Sequence, residues 1–378
     1  MKLSINKNTL ESAVILCNAY VEKKDSSTIT SHLFFHADED KLLIRASDYE
    51  IGINYKIKKI RVESSGFATA NAKSIADVIK SLNNEEVVLE TIDNFLFIRQ
   101  KSTKYKLPMF NHEDFPNFPN TEGKNQFDID SSDLSRSLKK ILPSIDTNNP
   151  KYSLNGAFLD IKTDKINFVG TDTKRLAIYT LEKANNQEFS FSIPKKAIME
   201  MQKLFYEKIE IFYDQNMLIA KNENFEFFTK LINDKFPDYE KVIPKTFKQE
   251  LSFSTEDFID SLKKISVVTE KMKLHFNKDK IIFEGISLDN MEAKTELEIQ
   301  TGVSEEFNLT IKIKYLLDFL TSIEEEKFTL SVNEPNSAFI VKSQGTINDY
   351  YAYDFVIKQV KDKGKICKKI TVRVILKS

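Results

Sequence analysis

The amino-acid sequence predicts an α+β protein built from three tandem repeats of a two-helix, sheet-backed module. The first observation is a constant step of 124 residues between similar segments that begin at Leu3, Phe127 and Leu251. The second is that each copy contains two stretches with apolar residues at helical spacing, separated by segments of strand-like alternation. Because a chain that uses one module three times forms an extended or symmetric object, we interpret the repeat before any single motif.

Each repeat opens with a predicted helix. Asn6, Asp130 and Ser254 share one column of the repeat, and all three residue types cap helices by accepting hydrogen bonds from the first free amides. Behind each cap, apolar residues recur at i, i+4 and i+7, which is one face of a helix. They are Leu10, Val14 and Cys17 in the first copy, Leu134, Leu138 and Ile141 in the second, and Phe258, Leu262 and Ile265 in the third.

Strands and a second helix complete each module. Asp48 and Asp172 are 124 residues apart in a turn between strand-like segments, and Asp289 takes the matching place in the third copy. The second helix buries Ile75, Val78, Ile79 and Leu82, then Ile198, Met201, Leu204 and Phe205, then Leu316, Phe319, Leu320 and Ile323. We predict modules at residues 1–122, 127–246 and 251–378, the last with an atypical C-terminal tail.

Composition and charge narrow the class of protein. The 378 residues are 41% hydrophobic and 29% charged, which is typical of a globular chain of three domains. The N-terminus turns polar at once and no apolar run reaches about 18 residues, so we expect a cytoplasmic protein with reduced Cys17 and Cys367. A net charge of −1 argues against binding nucleic acid over the whole surface, but is compatible with one basic face.

Motifs for catalysis or cofactor binding are absent from the sequence. None of the nine glycines forms a phosphate-binding loop, and the four histidines lack zinc-ligand spacing. His112, Glu113 and Asp114 lie together in a polar segment before a Phe-Pro pair, which favours a solvated loop. We predict no catalytic residue, no metal and no cofactor.

Basic residues concentrate on the predicted helices of all three copies. They include Lys23, Lys24, Lys73, Lys80, Arg136, Lys139, Lys140, Lys195, Lys196, Lys203, Lys263, Lys264, Lys312 and Lys314. The same bias in every copy of a nearly neutral chain favours a phosphate-facing surface over ordinary solvation. Six modules from two chains could form a ring lined by twelve helices, and helices about 10 Å apart would leave a bore of roughly 25–30 Å, enough for a DNA duplex.

Four segments, in order, carry a family resemblance. They are residues 47–53, 154–158, 170–177 and 235–244, with sequences SDYEIGI, LNGAF, GTDTKRLA and KFPDYEKVIP. Together with the repeats, they resemble the bacterial DNA polymerase III beta subunit, the sliding clamp, over residues 1 to about 340. The resemblance implies a DNA clamp fold and a head-to-tail homodimer that encircles duplex DNA without sequence specificity. It also implies a processivity factor without catalytic activity, opened by a separate clamp loader, that tethers the polymerase alpha subunit and other proteins carrying clamp-binding motifs.

Two alternatives to a ring remain at this point. One is a peptide-binding scaffold that never closes. The other is a metal-dependent nuclease, which requires a convergent carboxylate cluster, whereas Asp48, Asp172 and Asp289 repeat as turn residues.

The resemblance also implies three sets of site residues. The partner-peptide pocket corresponds to Leu154, Thr171, Thr173, Lys174, Arg175, Leu176, Pro237, Lys241 and Val242. The DNA-facing set corresponds to Lys24, Asn148, Lys195 and Lys196, to which the basic helix faces add Lys73, Lys139, Lys140, Lys263 and Lys264. The dimer interface corresponds to Tyr105, Leu107, Val267 and Val268.

The sequence departs from the family pattern at the pocket. Thr173 stands where the family usually has Gly, and Lys174 where it usually has His, so the peptide preference is open. The family ends in a short apolar strand that completes the pocket, and residues 352–360 and 370–376 are competing candidates for it.

Overall fold

The computed structural model describes residues 1–206, 208–286, 291–333, 337–344 and 351–357. The helices are α1 (Lys7–Cys17), α2 (Ala72–Ser81), α3 (Ser131–Ile141), α4 (Lys195–Leu204), α5 (Thr255–Ser266) and α6 (Ile313–Leu320). The strands are β1 (Lys2–Asn6), β2 (His32–Asp38), β3 (Lys41–Ser47), β4 (Ile51–Lys58), β5 (Arg61–Ser64), β6 (Gly66–Asn71), β7 (Glu86–Ile92), β8 (Phe95–Gln100), β9 (Thr103–Pro108), β10 (Asn125–Gln126), β11 (Gly156–Ile161), β12 (Lys165–Thr171), β13 (Arg175–Glu182), β14 (Phe189–Pro194), β15 (Glu210–Tyr213), β16 (Met217–Lys221), β17 (Phe225–Lys230), β18 (Gln249–Ser254), β19 (Lys271–Phe276), β20 (Lys280–Ile286), β21 (Glu292–Glu298), β22 (Phe307–Lys312), β23 (Lys327–Val332), β24 (Phe339–Gln344) and β25 (Tyr351–Ile357).

The predicted helix starts are confirmed in all three copies. The Asn6 side chain accepts hydrogen bonds from the amides of Asn8 and Thr9 at the start of α1. Asp130 accepts the Ser132 amide at the start of α3, and Ser254 accepts the Asp257 amide at the start of α5. The apolar faces behind the caps are buried, because residues at this spacing fall on one side of a helix.

The first compact unit comprises residues 1–133 and 199–231. It contains a five-stranded sheet in the order β5-β1-β7-β8-β9 and an eight-stranded sheet in the order β10-β15-β16-β17-β4-β3-β2-β6. Antiparallel pairing of β17 with β4 makes the larger sheet continuous between the first and second repeats. Gly52 is needed at this junction, because a Cβ there would lie 2.4 Å from Cε1 of Phe228.

The second compact unit comprises residues 134–198 and 232–378, of which the described residues end at 357. It contains an eight-stranded sheet in the order β14-β11-β12-β13-β25-β24-β23-β18 and a four-stranded sheet in the order β21-β20-β19-β22. The α5 residue Phe258 packs against Phe283 and Phe328, with ring centroids 5.4 and 5.0 Å apart. Burial of each such ring stabilises the fold by about 1.5–3 kcal/mol.

The compact units do not follow the three repeats. The reason is that strands pair across the repeat boundaries, β17 with β4 and β25 with β13. The module limits at 122, 127, 246 and 251 therefore stay a prediction from the sequence.

Residues 351–357 form the strand that lies beside β13. The register pairs Arg175 with Ile357 and Leu181 with Tyr351. Because β12 already pairs with the other side of β13, both sides of that strand are occupied. The first candidate, 352–360, thus supplies this strand through its described part, whereas residues 370–376 and Asp289 lie outside the described residues.

Candidate functional site

The turn from β12 to β13 holds four of the predicted pocket residues in a fixed conformation. Oδ1 of Asp172 accepts the amides of Lys174 and Arg175 at 2.9 and 3.0 Å. The Thr171 hydroxyl donates to the Arg175 carbonyl at 2.6 Å and accepts the Thr173 amide at 3.1 Å. These contacts order the backbone before β13 begins.

The first repeat contains the same turn. Asp48 accepts the amides of Glu50 and Ile51 at 3.0 and 2.9 Å, and the Ser47 hydroxyl contacts the Ile51 carbonyl and the Tyr49 amide. The matching pattern confirms that the Asp48 and Asp172 column is structural in both copies.

Thr173 sits in this turn at a φ of 70°, a left-handed conformation that is unfavourable for a β-branched residue. We expect Thr173→Gly to raise the free energy of unfolding by about 1 kcal/mol, because relief of the strain exceeds the entropy that glycine adds to the unfolded chain. Urea denaturation measures the change. Thr163→Gly is the matched control, since Thr163 is exposed and its φ is not positive; a loss of stability in both variants would contradict the assignment of strain.

An apolar cluster lies on the sheet beside this turn. Leu154 and Leu176 from the predicted pocket belong to it, together with Val169, Ile178, Phe236, Tyr239 and Ile340. Phe158, Ile243, Phe247 and Ala338 pack against it while keeping part of their surface accessible. We call these eleven residues the apolar cluster. Seven of the eleven are buried, so the accessible apolar surface comes from the four partly buried members, and surfaces of this kind bind short hydrophobic peptides.

The segment after Phe236 borders the cluster. Pro237 is half-buried, and Lys241 forms an ion pair with Asp238 at 2.8 Å. Val242 is 43% exposed and ends a short 3₁₀ turn whose next residue, Ile243, packs against the cluster. Lys174 is exposed in the β12–β13 turn.

The guanidinium of Arg175, a predicted pocket residue, is buried and does not project towards solvent. Its side chain is 4% exposed, and it donates to Asp172 at 3.0 Å, to Asp318 of α6 at 2.6 Å and to the carbonyl of Pro143. The guanidinium carbon also lies 4.5 Å from the ring centroid of Tyr315. Arg175 therefore joins the start of β13 to α6, and it supports the cluster through the backbone of that strand.

The predicted DNA-facing residues fall into two groups. Lys24, Lys73, Lys139, Asn148, Lys196, Lys263 and Lys264 are exposed, and Lys264 pairs with Asp260 at 2.6 Å. Lys140 is buried, and its ammonium group donates to the Ser322 carbonyl, so the prediction for this residue is wrong. Lys195 is half-buried and donates to the Ile145 carbonyl at 2.5 Å. Burial lowers the pKa of both Lys140 and Lys195.

The predicted dimer-interface residues lie at or beside two strand edges. Tyr105 and Leu107 are half-buried on β9, opposite Ile98 and Leu96. Val267, which is 85% exposed, follows α5, and that helix lies against β21. Val268 is half-buried. Within the described residues, β9 and β21 each pair on one side only.

Several residues of this site were not singled out from the sequence. Phe236 and Tyr239 were part of a recognised segment, which was the available signal, but only Pro237, Lys241 and Val242 were assigned from it. Tyr315 and Asp318 carried no local signal, because they contact Arg175 from a distant helix.

Neither a metal-binding cluster nor a membrane-spanning helix is present among the residues that the structure describes. There, no group of three or more His, Cys, Asp or Glu residues is arranged to hold a metal ion. In the same residues, no helix has the length and apolarity to cross a bilayer.

Comparison with known families agrees with this architecture. Profiles described as the N-terminal, central and C-terminal domains of the DNA polymerase III beta subunit match residues 1–119, 128–238 and 240–356. A beta sliding clamp of Helicobacter pylori is 35% identical over 351 residues, which cover 90% of this chain and 94% of that protein. Another, from Buchnera aphidicola, is 25% identical over 367 residues, covering 93% and 98%.

Solved structures give the same result. The structure of a Helicobacter pylori beta clamp bound to a DNA ligase peptide has a TM-score of 0.88 and 34% identity, and it covers 96% of this chain and 100% of its own. The DNA polymerase III beta subunit of Pseudomonas aeruginosa, at 21% identity, shares the fold with a TM-score of 0.86 over 96% of this chain and 100% of its own.

Repeated modules joined by continuous sheets define a protein of the DNA clamp class. The chain belongs to the DNA polymerase III beta subunit family, the bacterial sliding clamps. It is a DNA sliding clamp, a processivity factor without catalytic activity of its own.

Proposed function

We propose that two copies of this chain close a head-to-tail ring around duplex DNA, and that each copy tethers replication proteins through the apolar cluster. One observation supports the ring. Equivalent strands of neighbouring repeats pair at two junctions within the chain, and the strands that would form the same pairing at the two ends of the array have only one neighbour in the described residues. The last strand of the second repeat, β17, pairs with β4, and the last strand of the third, β25, pairs with β13. The corresponding strands β9 and β21 have no such partner within the described residues.

The registers of the two junctions predict how β9 and β21 would meet. Tyr55 and Tyr179, 124 residues apart, lie opposite Phe225 and Tyr353. In β21, Thr295 takes the place of these tyrosines, because it lies opposite Phe283 of β20 as Tyr179 lies opposite Phe168 of β12. When the β8–β9 hairpin is aligned with the β16–β17 hairpin by strand register, Thr103 of β9 occupies the position of Phe225 of β17. We therefore expect Thr103 of one copy to lie opposite Thr295 of the other.

The charges on the two edges support this pairing. Lys104 and Lys106 lie on the exposed face of β9, with their ammonium groups 4.4 and 3.7 Å from the ring centroids of Phe97 and Phe95. The exposed face of β21 carries Glu292, Lys294, Glu296 and Glu298. Opposite net charges on the two edges steer association and disfavour pairing of an edge with its own kind.

The DNA-facing surface in this proposal consists of exposed residues only. Lys24, Lys73, Lys139, Asn148, Lys196, Lys263 and Lys264 form it. Lys140 and Lys195 support it by hydrogen bonds to backbone carbonyls. A ring holds DNA by its topology, so a few non-specific phosphate contacts suffice and still permit sliding.

The partners in this proposal bind through hydrophobic peptide motifs. The apolar cluster with Val242 at its border suits such a peptide, and the DNA ligase peptide on the Helicobacter pylori clamp supports the assignment. We assign to this site the DNA polymerase III alpha subunit, the clamp loader and other proteins with clamp-binding motifs. Replication of the chromosome requires the ring to act in the cytoplasm.

Retention on closed DNA tests the ring. We expect the protein, once a clamp loader has placed it on nicked circular duplex, to stay bound in 0.5 M NaCl and to dissociate when a restriction enzyme linearises the circle. The reason is that salt screens phosphate contacts while leaving a topological link intact. Gel filtration of labelled protein with DNA measures retention. Equal retention on linear and circular DNA would contradict encirclement, and a monomer that still binds peptide would favour the scaffold alternative.

A further inference from the structure

We propose that the hydroxyl group of Tyr239 is a positioning device for the peptide site, because it fixes the segment Pro237–Val242 to the sheet through Asp160 and Asn167. This inference rests on the proposed function of the apolar cluster. The phenol donates to Oδ2 of Asp160 at 2.8 Å and accepts from Nδ2 of Asn167 at 2.9 Å. Tyr239 thus attaches the border of the site to the sheet by two hydrogen bonds, beside the longer ion pair of Glu240 with Lys162 at 3.7 Å.

The attachment extends across three strands. Asp160, Asn167 and Thr180 are direct register neighbours on β11, β12 and β13. The Thr180 hydroxyl donates to Oδ1 of Asn167 at 2.9 Å, which orients the amide so that its nitrogen faces Tyr239. Asn167 is 6% exposed and Tyr239 is 7% exposed, so water does not readily replace the bond between them, while the Asp160 carboxylate is 17% exposed and also pairs with Lys162 at 3.4 Å.

The same residue also begins the turn that carries Val242. The Val242 amide donates to the Tyr239 carbonyl at 3.2 Å, closing the 3₁₀ turn Glu240–Val242. The Tyr239 ring lies edge-on to Phe158 at 6.1 Å, and Phe158 stacks on Phe236 at 4.8 Å. A shift of the Tyr239 ring would therefore move both the apolar cluster and the exposed Val242.

The first repeat indicates that the hydroxyl is not needed for the fold of the module. Phe118 takes the place of Tyr239 in the corresponding Phe-Pro-Asn-Phe segment. The positions equivalent to Asp160 and Asn167 in the first copy are His36 and Leu43, which pair on β2 and β3 as Asp160 and Asn167 pair on β11 and β12. The polar attachment thus occurs in the copy that carries the apolar cluster, while the first copy builds its segment without it.

Peptide affinity tests the proposal, with a fluorescent form of the DNA ligase peptide from the Helicobacter pylori complex as the probe. We expect Tyr239→Phe and Asp160→Leu in the full chain each to weaken binding about five- to tenfold, as loss of one intramolecular hydrogen bond of ordinary strength predicts. Asp160→Asn retains an acceptor oxygen for the phenol and is expected to bind within about twofold of the unchanged protein.

Two further variants separate positioning from loss of stability and from failure of the site itself. Ile311→Val removes a methyl group from a buried residue of the four-stranded sheet. It is expected to lower the Tm by about as much as Tyr239→Phe does, and to leave peptide affinity unchanged. Val242→Ala tests the proposed site directly. If Val242→Ala weakens peptide binding and Tyr239→Phe does not, the positioning role of Tyr239 is wrong while the proposed site stands. If neither variant changes peptide affinity, both the positioning role and the proposed site are wrong.

Two other outcomes also decide the matter. If Ile311→Val weakens binding as much as Tyr239→Phe, the effect is general destabilisation and the proposal fails. If Asp160→Asn is as damaging as Asp160→Leu, the phenol does not act through this acceptor and the proposal fails.

Discussion

Arg175→Ala is expected to lower the free energy of unfolding by about 3–5 kcal/mol, because it leaves the carboxylates of Asp172 and Asp318 without their buried cationic partner. The loss is large because the arginine side chain is 4% exposed and the side chains of Asp172 and Asp318 are only 20% and 21% exposed. Urea denaturation measures the change, and amide hydrogen exchange in β13 locates it. Peptide binding should weaken as a consequence, since Leu176 follows directly on the same strand.

Lys174→Ala is the matched control for Arg175→Ala. Lys174 is the preceding residue, carries the same charge and is exposed, so its removal is expected to change stability by less than about 0.5 kcal/mol. A double-mutant cycle between Arg175 and Asp318 should give a coupling energy above about 1 kcal/mol, since the two side chains share one contact. If Arg175→Ala instead weakened peptide binding with no change in stability, the guanidinium would contact the peptide after all.

The repeated framework was predictable because its signals are local. The caps Asn6 and Ser254 and the apolar faces behind them lie within a few residues of each other, so helical periodicity identifies them. The Asp172 turn was predictable for the same reason, since its hydrogen bonds reach residues two and three positions along the chain.

The contacts that define the site were not predictable in this way, because they join distant parts of the sequence. Asp318 lies 143 residues from Arg175, and a basic residue in a turn gives no sign of such a partner. Lys140 was assigned to the DNA side as part of the basic helix faces, yet it lies three residues from the buried Ser137 and thus on the packed side of α3. Its acceptor, the Ser322 carbonyl, is 182 residues away.

The choice between the two C-terminal segments illustrates the same limit. Residues 352–360 lie at the family's usual distance from the preceding strand and residues 370–376 alternate like a strand, and neither property specifies a partner strand. The choice depends on which segment reaches β13, and the structure pairs Tyr351–Ile357 with that strand.

Charge reversal on one open edge is expected to abolish the dimer at micromolar concentration. In Lys104→Glu/Lys106→Glu, the net charge of the β9 edge would change from +2 to −2 (two lysines to two glutamates), and this edge would face the net −2 of the β21 edge (Glu292, Glu296 and Glu298 against Lys294). The expected register places position 106 opposite Glu292 and position 104 opposite Lys294, so one favourable pair forms, but the edges as a whole repel each other, and juxtaposed like charges cost several kcal/mol, about a hundredfold or more in Kd. Within the chain, Glu226 of β17 pairs with Lys56 of β4 at 2.8 Å. The registers place Lys104 and Glu296 at the corresponding positions of the open edges, so the signs are reversed there. Sedimentation analysis, against a protomer mass of 43.7 kDa, measures the dimer.

A complementary variant makes this prediction specific to the proposed seam. Glu292→Lys/Glu296→Lys should also be monomeric, since its homodimer would oppose lysines at both seams. An equimolar mixture of the two variants should restore a dimer that contains one copy of each, because one seam then pairs glutamates of β9 with lysines of β21 and the other is unchanged. Lys41→Glu/Lys58→Glu alters charge equally on two exposed residues of β3 and β4, strands paired on both sides, and should remain dimeric. Two monomeric variants that fail to associate when mixed would mean that β9 and β21 do not meet.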